Sequence, residues 1–469
     1  MGLMILLLVF AIGVFIGLPV AFAMGIAAAS AFWIEGFPML ITFQRATAGV
    51  SVFSLLAIPF FVLAGEIMLH GGIAARLVKL ASALVGHLKG GLAMVNIFSS
   101  MLFGGISGSA VADISALGSI LVPVMKERGY RPDFAVNVTV TSSIAGIVIP
   151  PSHNMIIFAV AAGGGISVSK LFLAGVVPGL LMCISLAIAA YILSVKHNYP
   201  AEPFPGWREV GRSAADAIPG FLTAVIIVGG TLSGVFTVTE SGAFGAIYAI
   251  LLTKFYYRSL TWHSFKIALV GTVRTTSMVM ILIAFASSFA YLLALYQVPA
   301  RLSEALVLIS DNPIIILLMI NVILLVLGMI MDMAALILIC TPIFLPIAKG
   351  LGMDPTQFGI MMLMNLGLGL CTPPVGTCLF VGCAVGRIKI ETALKSIWPF
   401  YIAILGALIL VTYVPAVSLW LPSLFCFCAP RLKAGGHCFR SDLPLSRGRA
   451  LRLSATVPPI HPSCSIAGG

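Results

Sequence analysis

A shift of 223 positions lays residues 328–374 of this chain on residues 105–151 without a gap. Gly105 falls on Gly328, Ser109 on Asp332, Pro123 on Pro346, Gly129 on Gly352, Pro132 on Pro355, Gly146 on Gly369, and Pro150-Pro151 on Pro373-Pro374. The glycines and prolines among them loosen or break helices, so the fold must build one interrupted unit twice. The segment Phe103-Gly104-Gly105-Ile106-Ser107-Gly108-Ser109-Ala110-Val111-Ala112-Asp113 is the clearest interruption. Glycines and hydroxyls break an apolar run there, and Asp113 has no basic residue within a helical turn. Such a stretch faces protein or water and not lipid.

Lipid is the surrounding solvent because the chain is 60% hydrophobic and 9% charged, with a mean hydropathy of +1.14. That composition belongs to polytopic membrane proteins and excludes a soluble enzyme. The first apolar run starts at Gly2 without a basic leader and continues through Pro19 to Ile34, which reads as a retained span. The net charge of +11 does not point to nucleic acid. The region 423–469 alone carries six Lys/Arg against Asp442, and the rest is spread over loops, as charge that sets topology is. Five cysteines (Cys183, Cys340, Cys371, Cys378, Cys383) sit in apolar runs as small hydrophobes, without CxxC pairs.

Apolar runs predict spans near 3–18, 20–34, 51–69, 134–162, 171–194, 218–236, 240–256, 270–297, 357–385 and 397–416. Two further stretches, about 92–125 and 314–348, are interrupted midway and are expected to be re-entrant hairpins. Arg76, Lys79, Lys89, Lys126, Arg128 and Arg131 flank the first hairpin, whereas only Arg301 and Lys349 flank the second. The positive-inside rule then opens the first to the cytoplasm and the second to the outside. The expected fold class is therefore an all-α polytopic membrane protein with an inverted repeat, two re-entrant helical hairpins and broken spans. Its parts are a first repeat over 1–195, a cytoplasmic connector with a short interfacial helix over 196–217, a second repeat over 218–422, and a disordered basic tail over 423–469.

Two broken spans face the hairpins in this scheme. In Thr141–Ser152 and Asn365–Gly376 the double prolines remove backbone donors and free upstream carbonyls, and a small hard cation prefers carbonyl and hydroxyl oxygens. One expected cation site lies among Ser107, Ser109 and the oxygens of Gly146, Ile149 and Pro150. Its repeat mate lies among Gly328, Asp332, Gly369, Thr372 and Pro373, with substrate between the hairpin tips near Ser107, Ser109 and Asp332. The serines have a plainer reading as backbone partners or packing residues. A lone carboxylate such as Asp332 in an apolar run is costly and points to function. Asp113 is expected to brace the first hairpin, His153 to pack, Glu240 to brace a helix junction, and Glu66 and Arg274 to snorkel or pair between helices.

At these residues the chain resembles a known family. GGISGSAVAD at 104–113, IPPS at 149–152, TVTESGA at 237–243, RTTSM at 274–278, MDM at 331–333 and TPPVG at 372–376 resemble the large membrane subunit of TRAP transporters, the tripartite ATP-independent periplasmic uptake systems. The likeness covers about residues 1–422. It implies a Na⁺-coupled, elevator-type importer of an organic acid of the C4-dicarboxylate, sialic-acid or sugar-acid type. It also implies a bacterial inner-membrane location and two partners, a small membrane subunit and a periplasmic solute-binding protein. The rival reading is a stand-alone Na⁺/carboxylate carrier of related fold. A membrane enzyme would need a nucleophile with its base or a metal cluster, and no HExxH, GxSxG or His/Cys grouping stands in the spans.

The inverted arrangement is testable by labelling. Single cysteines placed near Lys126 should react only from the cytoplasm and those near Lys349 only from the outside; reaction of both from one side would sink it.

Overall fold

The computed structural model describes residues 2–310 and 312–425. Among them all regular structure is helical. The first half runs through α1 (Gly2–Phe15), α2 (Val20–Ile34), α3 (Leu40–Val50), α4 (Ala57–His70), α5 (Ile73–Val85) and α6 (Gly91–Ser107). It continues with α7 (Ala110–Asp113), a π-helical turn (Ile114–Gly118), α8 (Ser119–Glu127), α9 (Pro132–Ser142), α10 (Ala145–Val148), α11 (His153–Ala161) and α12 (Val168–Lys196). The second half runs through α13 (Trp207–Leu232), α14 (Val238–Leu251), α15 (Trp262–Leu295), α16 (Val298–Ile309), α17 (Pro313–Gly328) and α18 (Met333–Gly350). It ends with α19 (Pro355–Leu370), α20 (Thr377–Gly386), α21 (Ile390–Leu394), α22 (Trp398–Tyr413) and α23 (Pro415–Leu424). The expected tail from 423 lies outside the described residues except for its first three, of which Ser423 and Leu424 close α23.

Element boundaries repeat at the sequence register. α9 and α19 start at the matched prolines Pro132 and Pro355, where the missing N–H costs nothing. Gly129 and Gly352 precede them with φ of 83° and 85°, a left-handed turn that a side chain would strain. Ser109 and Asp332 are the N-caps of α7 and α18: Ser109 Oγ accepts from Ala112 N at 3.4 Å and Asp332 Oδ2 from Ala334 N at 3.0 Å.

The hairpin arms α6 and α17 are 17 and 16 residues long. At 1.5 Å per residue each reaches about 25 Å, short of the ~30 Å hydrocarbon core, so a chain that turns back after them re-enters without crossing. The broken spans form the centre of the molecule. Every residue from Asp133 to Val148 and from Thr356 to Leu370 is buried, although both runs are apolar enough for lipid. A helix buried all round is a core element, and the polar residues these runs carry, among them Asn137, Thr139, Gln357 and Asn365, find their partners inside the protein. The second half of each broken span crosses to the other repeat: α11 packs on α18, and α20 packs on α7, the π turn and α8. The first broken span bends by 53° between Val148 and His153.

The repeats differ where the outer helices lie. The 34-residue α15 corresponds to α3 and α4 together, which a 3₁₀ turn at Phe53–Leu56 separates. Helices α3, α5 and α16 fall in stretches that hydropathy left as loops. The short interfacial helix expected before residue 217 is a correction: α13 runs unbroken from Trp207 to Leu232 through Pro219. Its acidic first turns are drawn toward α5 and not only to headgroups. Lys79 Nζ lies 3.3 Å from Glu209 Oε1 and Arg76 Nε 3.5 Å from Asp216 Oδ1, while the Arg76 guanidinium sits 3.9 Å from the centre of the Tyr257 ring. At the start of α19, Lys170 reaches Asp354 at 3.2 Å and Thr356 N donates to the same carboxylate at 2.7 Å. Partial burial pushes that carboxyl upward, but these two partners outweigh burial and hold it below the usual range. Glu240 closes a capping box with Thr237 at the start of α14.

Candidate functional site: two hairpin tips against two broken spans

Each hairpin meets its broken span through glycine. A Cβ added to Gly146 would lie 2.9 Å from Gly104 Cα, and one added to Gly105 would lie 3.0 Å from Pro150 O. In the second repeat a Cβ on Gly369 would lie 2.6 Å from the carbonyl carbon of Gly328, and Val375 N donates to Met329 O at 3.0 Å. Backbone therefore packs on backbone at both tips, as small residues allow between membrane helices. Gly108 turns the first tip with φ of 62°, which leaves His153 Nδ1 3.1 Å from where its Cβ would be. Asn154 Nδ2 donates to Gly108 O at 3.4 Å and ties the tip to the broken span.

The residues expected to hold cations are distributed as follows. Ser107 and Ser109 flank the first tip, with Ser109 N donating to Ser107 Oγ at 3.4 Å. The prolines Pro150 and Pro151 have no N–H, so Gly146 and Ile147 lack their i+4 donors; Ile149 Cγ2 and Pro150 O face Gly105. Both double prolines contain a cis peptide bond. In the second repeat Gly369 O accepts instead from Thr372 N at 2.9 Å, which leaves it one lone pair, and Thr372 Oγ1 donates to Leu368 O at 2.8 Å with its own lone pairs open. Pro373 is half-buried beside them. Asp332 faces the N-terminus of α18, and among the described residues no hydrogen bond joins it to Thr372 or Gly369. Sequence reasoning gave Asp332 a ligand's role only; the structure adds a cap.

Two buried polar clusters stand behind the tips at matched places. Asn96 Nδ2 donates to Thr139 Oγ1 at 2.6 Å, and Ser100 and Ser142 share a hydrogen bond of 3.0 Å. Asp113 is buried beyond them, and neither carboxylate oxygen has a hydrogen-bond partner among the described residues. Asn365, at the register position of Ser142, donates from Nδ2 to Asn321 O at 2.9 Å and Oδ1 at 2.8 Å.

A cavity of about 100 Å³ opens at the first tip, lined by Ser107, Ser109, Ala112, Glu66, His153 and Thr275 among others. Glu66, His153 and Thr275 were not expected in a site. Glu66 lies 3.5 Å from His70 one turn along the same helix, not the pairing between helices expected of it, and it lines the cavity together with the hairpin serines. The argument applied to Asp332, that a carboxylate in an apolar run needs a reason, would have singled out Glu66 too.

The chain is similar to known proteins. Residues 6–417 match the family described as the tripartite ATP-independent periplasmic transporter, DctM component. The chain belongs to that family. It is 40% identical to the sialic acid TRAP transporter large permease protein SiaM of Vibrio cholerae, covering 88% of this chain and 96% of that one. It is 42% identical to the C4-dicarboxylate TRAP transporter large permease protein DctM of Pseudomonas aeruginosa, covering 79% and 86%. In fold it is similar to the YdaH transporter of Alcanivorax borkumensis, with a TM-score of 0.59 at 13% identity over 82% of this chain and 88% of that one. The DctM-family chain is thus a multi-pass membrane permease and not an enzyme.

The glycine contacts give a direct test. Gly369→Ala, which forces a methyl onto Gly328, should destabilise the purified protein by about 1–3 kcal/mol. Gly406→Ala, with nothing within 4 Å of its added Cβ, should melt no lower than the parent. Equal melting of the two variants would show that the close approach is not required.

Proposed function

We propose that this DctM-family chain is the large membrane subunit of a sodium-coupled TRAP transporter that takes up an organic acid across the bacterial inner membrane. The observation that carries the reading is the duplicated tip: in each repeat a capped hairpin arm abuts a broken span whose prolines leave carbonyl oxygens without helical donors. One Na⁺ would be held by Ser107, Ser109 and the oxygens of Gly146, Ile149 and Pro150, and a second by Gly328, Asp332, Gly369, Thr372 and Pro373. The acid would bind between the tips. Filling both cation sites favours the arrangement that binds solute, since a ligand shifts an equilibrium only by its differential affinity for the two states. The hairpins and broken spans would then carry the acid across as one body against the outer helices, the elevator motion. A small membrane subunit and a periplasmic solute-binding protein would complete the system. The names of the relatives, one a sialic acid and one a C4-dicarboxylate transporter, support an organic acid as solute.

Uptake into vesicles, with and without Na⁺ and with and without the cognate binding protein, tests this directly. Uptake should require both; uptake without the binding protein would favour the stand-alone carrier. Ser109→Ala or Thr372→Ala removes one hydroxyl ligand and should raise the Na⁺ concentration for half-maximal uptake about tenfold, equivalent to about 1.4 kcal/mol. Asp332→Asn should raise it further, because it removes the one formal charge among the oxygens of that site. Unaltered Na⁺ dependence in both hydroxyl variants, together with loss of transport in His153→Ala, would point to H⁺ as the coupling ion.

A further inference from the structure

The cavity at the first hairpin tip has one carboxylate in its lining, Glu66. Glu66 belongs to α4, outside the hairpins and broken spans, and lines the same cavity as Ser107 and Ser109. It is set there by a packing constraint. A Cβ on Gly271 of α15 would lie 3.1 Å from the Glu66 carboxyl, so the carboxyl packs against this glycine and an alanine there would make it shift by a few tenths of an ångström. Among the described residues the lining includes no Lys or Arg; His153 is its single ionisable base, and Ser107, Ser109 and Thr275 supply hydroxyls. No bidentate clamp for a carboxylate is present, and one wall is an acceptor.

We infer that Glu66 selects a monoanionic hydroxy acid over a dicarboxylate, by accepting hydrogen bonds from the solute's hydroxyl groups. The inference rests on the transport reading above and deepens it. A solute held at the serine tip by its single carboxylate turns its remaining groups toward Glu66. Hydroxyls donate to the carboxylate, and such bonds to a charged acceptor are the strong kind. A second carboxylate in the same place meets a like charge in a confined site of low dielectric, where repulsion is screened little. The His70 partner, at 3.5 Å, lies on the next turn of α4 and holds the Glu66 side chain in line without lining the cavity.

The test uses the purified full chain in lipid nanodiscs, with gluconate as the hydroxy-acid probe and succinate as the dicarboxylate probe. The readout is the melting temperature in Na⁺ buffer. In the parent protein gluconate should raise it at concentrations at least tenfold lower than succinate does. Glu66→Gln, which keeps the shape and removes the charge, should cut that preference about tenfold. Gly271→Ala, which keeps the charge and pushes the carboxyl aside, should weaken gluconate without helping succinate, and serves if Glu66→Gln does not fold. Succinate acting as well as gluconate on the parent overturns the assignment, as does an unchanged preference in Glu66→Gln or no response to either acid. Na⁺ alone separates the two levels. A melting temperature raised by Na⁺ but by neither acid sinks the role of Glu66 and leaves sodium coupling standing, whereas no response to Na⁺ counts against sodium coupling itself.

Discussion

Backbone atoms at bilayer depth must find partners within the protein, and that requirement shapes this molecule more than any side chain does. A helix meets it alone; an interrupted helix does not. Each interruption here is therefore wrapped. The tip at Gly108 is held by Asn154, the tip at Met329 by Val375 N, and the carbonyl of Cys371 accepts from the Tyr401 hydroxyl at 2.5 Å. Gly104 against Gly146 and Gly328 against Gly369 let the wrapping come within van der Waals contact of the backbone itself. Larger residues would hold tip and break apart and leave the polar groups to lipid.

Once the breaks are enclosed, the rest of the architecture has to supply the enclosure. That is why α9 and α19 are buried on every side and why α11 and α20 cross to the opposite repeat. Helices α1 to α4 and α13 to α15 lie outside this core with large apolar residues exposed, among them Phe15, Trp33 and Met278. They pack chiefly on one another: α1 on α2, α4 on α14, and α15 on α2, α3 and α4. Their contacts with the enclosed core are concentrated at α4 against α6 and α15 against α18. Those are the places where an outer residue such as Glu66 or Thr275 can face a hairpin.

Much of this was written in periodicity and in prolines. The all-helical class, the interrupted hairpins and the broken spans follow from apolar length and from Pro150-Pro151 and Pro373-Pro374, because a proline removes a donor wherever it stands. The matched glycines point to close approach but not to the surface approached. What hydropathy missed has a physical reason. Helices α5 and α16 are 13 and 12 residues long, so neither makes an 18-residue apolar run. Helix α13 carries Glu209 and Asp216 in its first turns and looks like a separate surface segment until Lys79 and Arg76 are seen opposite. Glu66 and His153 lie far apart in sequence, and only the crossing of α4 with the hairpin brings them to one cavity.

The repeats match in backbone and diverge in polar side chains, and this division bears on mechanism. Ser109 and Asp332 hold the same capping position with different charge; Ser142 and Asn365 hold the same core position with different donors. Glu66 has Phe289 at its register partner, so the acidic wall of the first cavity has no twin. A symmetric backbone suits a machine that must present the same opening to two sides, since each half can adopt the other's geometry. Asymmetric chemistry suits a solute that is not itself symmetric. The cation sites proposed here need only the shared backbone, whereas the proposed hydroxy acid, with one charged end and one hydroxylated end, needs two different walls, for which the serines of the first tip and Glu66 in the same cavity are the candidates.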